Sequence, residues 1–195
     1  MFIELTDHLR CPEEHEEAYL VLLPELMEDR SVRSGTLGCP VCDRRFTIRD
    51  GVLDLGDAPP APAPDTALDA EATATLVGLG GPGGYLVLAG APAAAWREVA
   101  ALTPGVALVA LNPPDSVKDG GTVSVIRGGR IPLKSRSMRG AVLGRPFGGE
   151  DWWVREAARV VLPGLRVVGE GARPAAGLIE LMADAAGVWV GTPRR

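Results

Sequence analysis

Apolar positions follow two different rhythms along this chain. In residues 1–55 they come in short runs broken by charged and turn residues. Ala18-Tyr-Leu-Val-Leu-Leu23 reads as a strand, with residues 31–38 able to return beside it. Phe46-Thr-Ile-Arg-Asp-Gly-Val-Leu-Asp-Leu55 carries Asp50-Gly51 between apolar runs, a hairpin signal. From residue 66 onward, strand-length apolar runs alternate with stretches of helical period. Residues 66–79 form a leading helix. Residues 85–89 form a buried strand, and Pro92 opens a helix that runs to about Leu102. Further strands are predicted over 106–111, 122–126, 140–144 and 165–168. An amphipathic helix over 150–162 is stopped by Pro163-Gly164. A last helix from about Pro174 places Leu178, Leu181, Met182 and Ala185 on one face, Gly187 ends it, and 188–190 forms a final strand. The alternation predicts an α/β fold: a Rossmann-like, mostly parallel sheet with helices on both faces, preceded by a small β-rich module.

The boundary between the two rhythms is Gly56-Asp-Ala-Pro-Pro-Ala-Pro-Ala-Pro-Asp65. Alternating Ala and Pro favours an extended spacer and excludes a helix or an internal strand. The expected organisation is therefore a module at 1–56, a linker at 57–65 and a second domain at 66–195.

Three cysteines and two histidines are the whole soft-ligand inventory of the 195 residues. Cys11, His15, Cys39 and Cys42 lie in two knuckles, Cys11-Pro-Glu-Glu-His15 and Cys39-Pro-Val-Cys42, the layout of a zinc ribbon. Three thiolates and an imidazole suit Zn²⁺, and four protein ligands leave no position for a catalytic water, so the site is expected to be structural. So small a module has little core of its own, and metal binding supplies much of its folding energy. On this reading Cys39→Ser unfolds the first module and leaves the second intact. With every cysteine assigned to metal, none remains for a disulfide, which suits a reducing cytoplasm. The net charge of −5 argues against a surface built wholly for nucleic acid, and the longest apolar stretch, 84–96, is too short to span a bilayer.

Residues 1–55 resemble the small zinc-ribbon proteins that act as methyltransferase activators. The likeness rests on Cys11-Pro, Cys39-Pro-Val-Cys42 and Phe46-Thr-Ile-Arg-Asp-Gly-Val, with His15 in place of a cysteine. Residues 66–195 resemble class I S-adenosylmethionine-dependent methyltransferases, chiefly through Arg155-Glu-Ala-Ala-Arg-Val-Val-Leu-Pro-Gly-Leu-Arg-Val-Val168 and Ile131-Pro-Leu133. The second resemblance implies a cofactor site at the ends of the first strands. It needs a glycine-rich turn after the first strand and carboxylates after the next ones.

Those working residues are missing. Gly90 survives, but Pro92 and Ala94 stand where later glycines belong and Leu88 replaces the usual acid. Ala110 or Leu111 occupies the place of the ribose-binding carboxylate, leaving Asn112 as the only polar group nearby. No Asp or Glu lies between Gly120 and Gly149. Each unmet ligand hydroxyl costs about 1–3 kcal/mol, so several together weaken binding by orders of magnitude. The expectation is a domain that keeps the fold and has lost S-adenosylmethionine: a noncatalytic accessory or structural subunit acting through a protein partner. The alternatives are an active methyltransferase using Gly90 and Asn112, and an RNA-binding zinc-ribbon protein.

Two features bear on partners. Arg127, Arg130, Lys134, Arg136, Arg139 and Arg145 form a basic run with no acid inside it. It reads either as a docking surface for phosphate, RNA or an acidic protein face, or as a solvated loop. The first module is acidic by contrast and able to attract the run. In the helix at 150–162, Trp153, Ala157, Val160 and Val161 share the core face. Trp152 falls beside Arg155, Glu156 and Arg159, either as a binding anchor or as a residue folded back on the preceding loop.

Overall fold

The computed structural model describes residues 1–60, 62 and 65–194. Part of the Pro/Ala linker expected at 57–65, namely residues 61, 63 and 64, lies outside them. Eleven strands form one sheet: β1 (Val21–Glu28), β2 (Ser31–Gly38), β3 (Arg45–Arg49), β4 (Val52–Asp54), β5 (Tyr85–Ala89), β6 (Ala107–Leu111), β7 (Val123–Arg127), β8 (Gly140–Leu143), β9 (Val167–Glu170), β10 (Ile179–Ala185) and β11 (Val188–Pro193). Their spatial order is β1-β2-β3-β4-β7-β6-β5-β8-β9-β11-β10. The middle, from β4 to β9, is parallel, while β1 to β4 and β9, β11, β10 pair antiparallel. The sheet is therefore mixed, and less uniformly parallel than the sequence alternation implied.

The core strands β5 to β9 are buried on both faces, which accounts for their continuous apolar runs. Helices α1 (Ala70–Val77) and α2 (Trp96–Leu102) pack Val77, Trp96 and Val99 against Leu86, Leu88, Leu108 and Val125 on one face. Helix α1 begins where the Asp69 carboxylate accepts the Ala72 N–H at 2.8 Å, and ends at left-handed Gly78. On the other face α3 (Asp151–Val160) sets Trp153, Val154 and Ala157 against Val87, Val109 and Leu143.

The first module is sewn into this sheet. Strand β4 pairs in parallel with β7, Val52 to Asp54 against Val125 to Arg127. A 3-10 turn at Ile3–His8 lies on the α3 face, and Met1, Leu5 and Leu9 are fully buried in the core that α3 also covers. Backbone bonds continue the join, Arg10 N–H to Pro132 O at 2.9 Å and Lys134 N–H to His8 O at 2.7 Å.

One predicted element changes type. The segment expected as a helix carrying Leu178, Leu181, Met182 and Ala185 is strand β10, hairpinned to β11. A register irregularity between Leu181 and Ala183 puts Met182 out of step, so two adjacent apolar residues mimic a helical stripe. The turn is made by Ala186 and Gly187, both at positive φ (54° and 76°), a two-residue hairpin rather than a helix end. At the opposite edge, Pro24 sits inside β1, which the outer position of that strand permits.

Candidate metal centre and the crevice at the strand tips

The two knuckles meet. Cys11 follows the 3-10 turn and donates its N–H to Ala18 O at 2.8 Å, which brings the chain back on itself beside His15. Cys39 leaves β2 into a tight turn closed by Cys39 N–H to Arg44 O at 2.9 Å and by Asp43 at φ 57°. The ligating atoms of Cys11, His15, Cys39 and Cys42 lie within 4.8 Å of one another.

The spacing fits a tetrahedral ion. With Zn–S near 2.3 Å and Zn–N near 2.05 Å, a tetrahedron has S–S edges of about 3.8 Å and S–N edges of about 3.6 Å. Cys11 Sγ and Cys42 Sγ are 3.7 Å apart, and Cys39 Sγ is 3.5 Å from His15 Nε2. His15 Nδ1 lies 2.6 Å from Glu16 O, so with its proton on Nδ1 the ring donates there and leaves the Nε2 lone pair for metal. Burial pushes the Cys11 thiol up to about 12, with the Cys39 and Cys42 thiols adding to it. Burial raises Cys39, but the N–H groups of Cys42 and Val41 together with the Cys42 and Cys11 thiols oppose it and hold this thiol down at about 7. A divalent cation at the centre favours the thiolate at all three. These residues could hold Zn²⁺ in a closed, structural site.

Open α/β sheets hold ligands outside the carboxyl ends of the strands where the order reverses. Here that point lies between β5 and β8, and side chains fill it. Gly90 has φ 75°, and a Cβ there would stand 2.8 Å from the Phe147 ring and 3.4 Å from Arg145 O. Phe147 is fully buried and stacks edge-on against Trp153 at 4.9 Å. A Cβ at Gly144 would run into Pro92, which closes the crevice from the β5 side.

Asn112 is spent as well. Its Nδ2 donates to Gly128 O at 2.8 Å and its Oδ1 accepts the Gly128 N–H at 2.9 Å, clamping the ends of β6 and β7 together. The sequence flagged Pro92 through its place in the turn, whereas nothing local marked Phe147, which reaches the crevice only through the loop after β8.

The basic run does not form one surface. Arg139 donates to the carbonyls of Gly80, Gly81, Pro82 and Gly83 at 2.5 to 3.1 Å and ties down that glycine-rich loop. Arg127 pairs with Asp115 at 3.1 Å. Arg130 donates to Pro12 O at 2.9 Å, pairs with Glu14 at 3.3 Å and lies over the ring of Trp152, which is 45% exposed. The acidic first module thus meets part of the run within the chain. Arg136 stays exposed.

Helix α3 is less polar outside than its sequence implied. Glu156 is 8% exposed and holds Arg159 at 2.8 and 2.9 Å, with Arg10 at 3.6 Å. Glu170, also overlooked, is a buried carboxylate that accepts from Thr66 Oγ1 at 2.6 Å and Ala67 N–H at 3.2 Å, fastening the segment before α1 to β9.

No protein-family model matches the chain, and no curated protein matches it. Among solved structures it is similar to a geranyl diphosphate methyltransferase in complex with GPP and sinefungin, at 17% identity over 51% of this chain and 43% of that one, with a TM-score of 0.43. It is similar to a complex containing the Haloferax volcanii Trm112 methyltransferase activator, at 17% identity over 51% and 50%, TM-score 0.42. It is also similar to CalO1, a methyltransferase in calicheamicin biosynthesis in its SAH-bound form, at 18% identity over 64% and 54%, TM-score 0.42. The chain spans about half the length of the structures it matches.

Proposed function

We propose that this protein is a noncatalytic, zinc-stabilised accessory subunit: a methyltransferase-like domain with a built-in zinc ribbon resembling the activator proteins, working through protein contacts. The filled crevice carries the reading. Phe147 and Pro92 pack at the strand tips where a nucleotide cofactor would lie, and Asn112 is buried there with its amide paired to both backbone groups of Gly128. Binding S-adenosylmethionine there requires removing a fully buried aromatic ring from its place against Trp153. Losing the packing of a buried Phe costs on the order of 3–5 kcal/mol, and each unmet ligand hydroxyl adds about 1–3 kcal/mol.

A protein partner is supported by the outer strand. β1 is exposed along nearly its whole length, with Val21 at 54%, Leu23 at 59% and Leu26 at 53%, and among the described residues no strand pairs with its outer edge. Among the described residues no helix is long and apolar enough to cross a membrane. Three reduced cysteines committed to metal fit a cytoplasmic setting.

The test is calorimetric titration of the zinc-loaded chain with S-adenosylmethionine, expected to give no saturable heat up to millimolar ligand. Micromolar affinity would overturn the reading.

A further inference from the structure

A second, wholly cationic cleft lies away from the metal centre and the strand tips. It encloses about 540 Å³ between α3, the turn after β7 and the end of β11, and its charged lining is Arg136, Arg155, Arg159 and Arg194. Among the described residues no Asp or Glu lines it, in a chain whose net charge is −5.

One of the four arginines is structural. Arg159 spends its guanidinium on Glu156, Leu133 O, Ile131 O and Ser135 Oγ. Arg136, Arg155 and Arg194 pair with no carboxylate among the described residues. Their backbones are nevertheless fixed. Arg136, at φ 52°, donates its N–H to Arg159 O at 2.9 Å, and Arg194 donates its N–H to Leu178 O at 3.2 Å. Arg155 stands one helical turn before Arg159 on α3. Three elements thus hold unpaired cations around one space, floored by buried Val161 and half-buried Leu178.

We infer that this cleft binds a small phosphate-bearing molecule. Guanidinium forks match phosphate oxygens in bidentate geometry. The volume lies within the range of small-molecule sites, roughly 300–1,000 Å³, and the apolar floor takes the organic part of the ligand. No aromatic ring lines the cleft, so base stacking is lacking, and an organic phosphate suits it better than a single-stranded nucleic acid. The inference is independent of the reading of the strand tips.

The experiment titrates inorganic pyrophosphate into the zinc-loaded chain by calorimetry at low salt. It compares wild type with the double variant Arg155→Ala/Arg194→Ala and with Arg45→Ala/Arg49→Ala, which removes two exposed arginines from the distant cleft on β3. Saturable submillimolar binding, weakened at least tenfold in the first variant and unchanged in the second, is expected. In wild type, pyrophosphate should slow amide exchange around residues 135–137 and 194, a readout that needs no variant. Absence of saturable binding, equal loss in both variants, or protection elsewhere overturns the assignment. So does displacement of pyrophosphate by an RNA oligomer that binds far more tightly through Arg155 and Arg194, which would give the cleft to nucleic acid.

Discussion

Replacing Cys39 with serine removes one of four ligands from the metal centre, and the effect should travel well beyond the knuckles. A structural Zn²⁺ site of this kind contributes on the order of 10–16 kcal/mol to folding its own module. If the module melts, three side chains leave the core under α3: Met1, Leu5 and Leu9, each fully buried. Full burial of such a side chain contributes about 1.5–3 kcal/mol, so together they account for roughly 5–9 kcal/mol. That is comparable to the entire stability of an ordinary domain, about 5–15 kcal/mol. Strand β7 also loses β4, becomes a bare edge and exposes Val125 and Ile126. The second domain is therefore expected to fail along with the first, against the modular behaviour that the proline-rich boundary implied. Amide exchange measured by mass spectrometry provides the assay. Chelation of zinc, or Cys39→Ser, should abolish protection in β6 and β7 together with β2 and β3. Native-like protection of β5 to β9 in the zinc-free protein would refute the reasoning.

Asn112→Ala should cost about 1–3 kcal/mol in urea unfolding, because both polar groups of Gly128 lose their partner inside the protein; unchanged stability would argue that the clamp is dispensable. Phe147→Ala should cost about 3–5 kcal/mol in the same assay and leave S-adenosylmethionine binding undetected. Arg139→Ala should free four backbone carbonyls and speed amide exchange in residues 80–84, with little change elsewhere. His8 is held below its usual range, first by burial and further by Lys134, while Asp7 opposes the shift. The folded protein thus binds this proton less tightly than the unfolded chain does. The associated stability is complete above about pH 6.5 and is lost as pH falls from there through the folded value. Zinc-saturated His8→Phe should show a shallower decline between pH 7 and pH 5, read from chemical unfolding at each pH, and identical slopes would remove His8 as the cause.

Most of the sheet was legible because its central strands are buried on both sides and so read as unbroken apolar runs. The Cys11, His15, Cys39 and Cys42 cluster was legible because knuckle spacing is local. What escaped the sequence depends on contacts between distant segments or on broken periodicity. Met182 lies at a register irregularity, and that single displaced residue turned the pattern of a strand into the pattern of a helix. Phe147 reaches Gly90 through space, and no spacing rule connects them. The uninterrupted basic run left a docking surface and a solvated loop both open, whereas Arg127, at the end of β7, and Arg130 and Arg139 beyond it each turn to a different partner. Val52-Leu-Asp54 looked like the return half of a local hairpin, and its second partner, β7, lies far along the chain.

That distant pairing has a consequence during synthesis. Asp54 waits for Arg127, about 70 residues later, and at roughly 5–20 residues per second the ribosome needs several seconds to deliver it. Until then the nascent N-terminal segment presents the unpaired edge of β4 and unsheltered leucines to the cell. Chaperone dependence should therefore peak in that interval and fade once the seventh strand emerges.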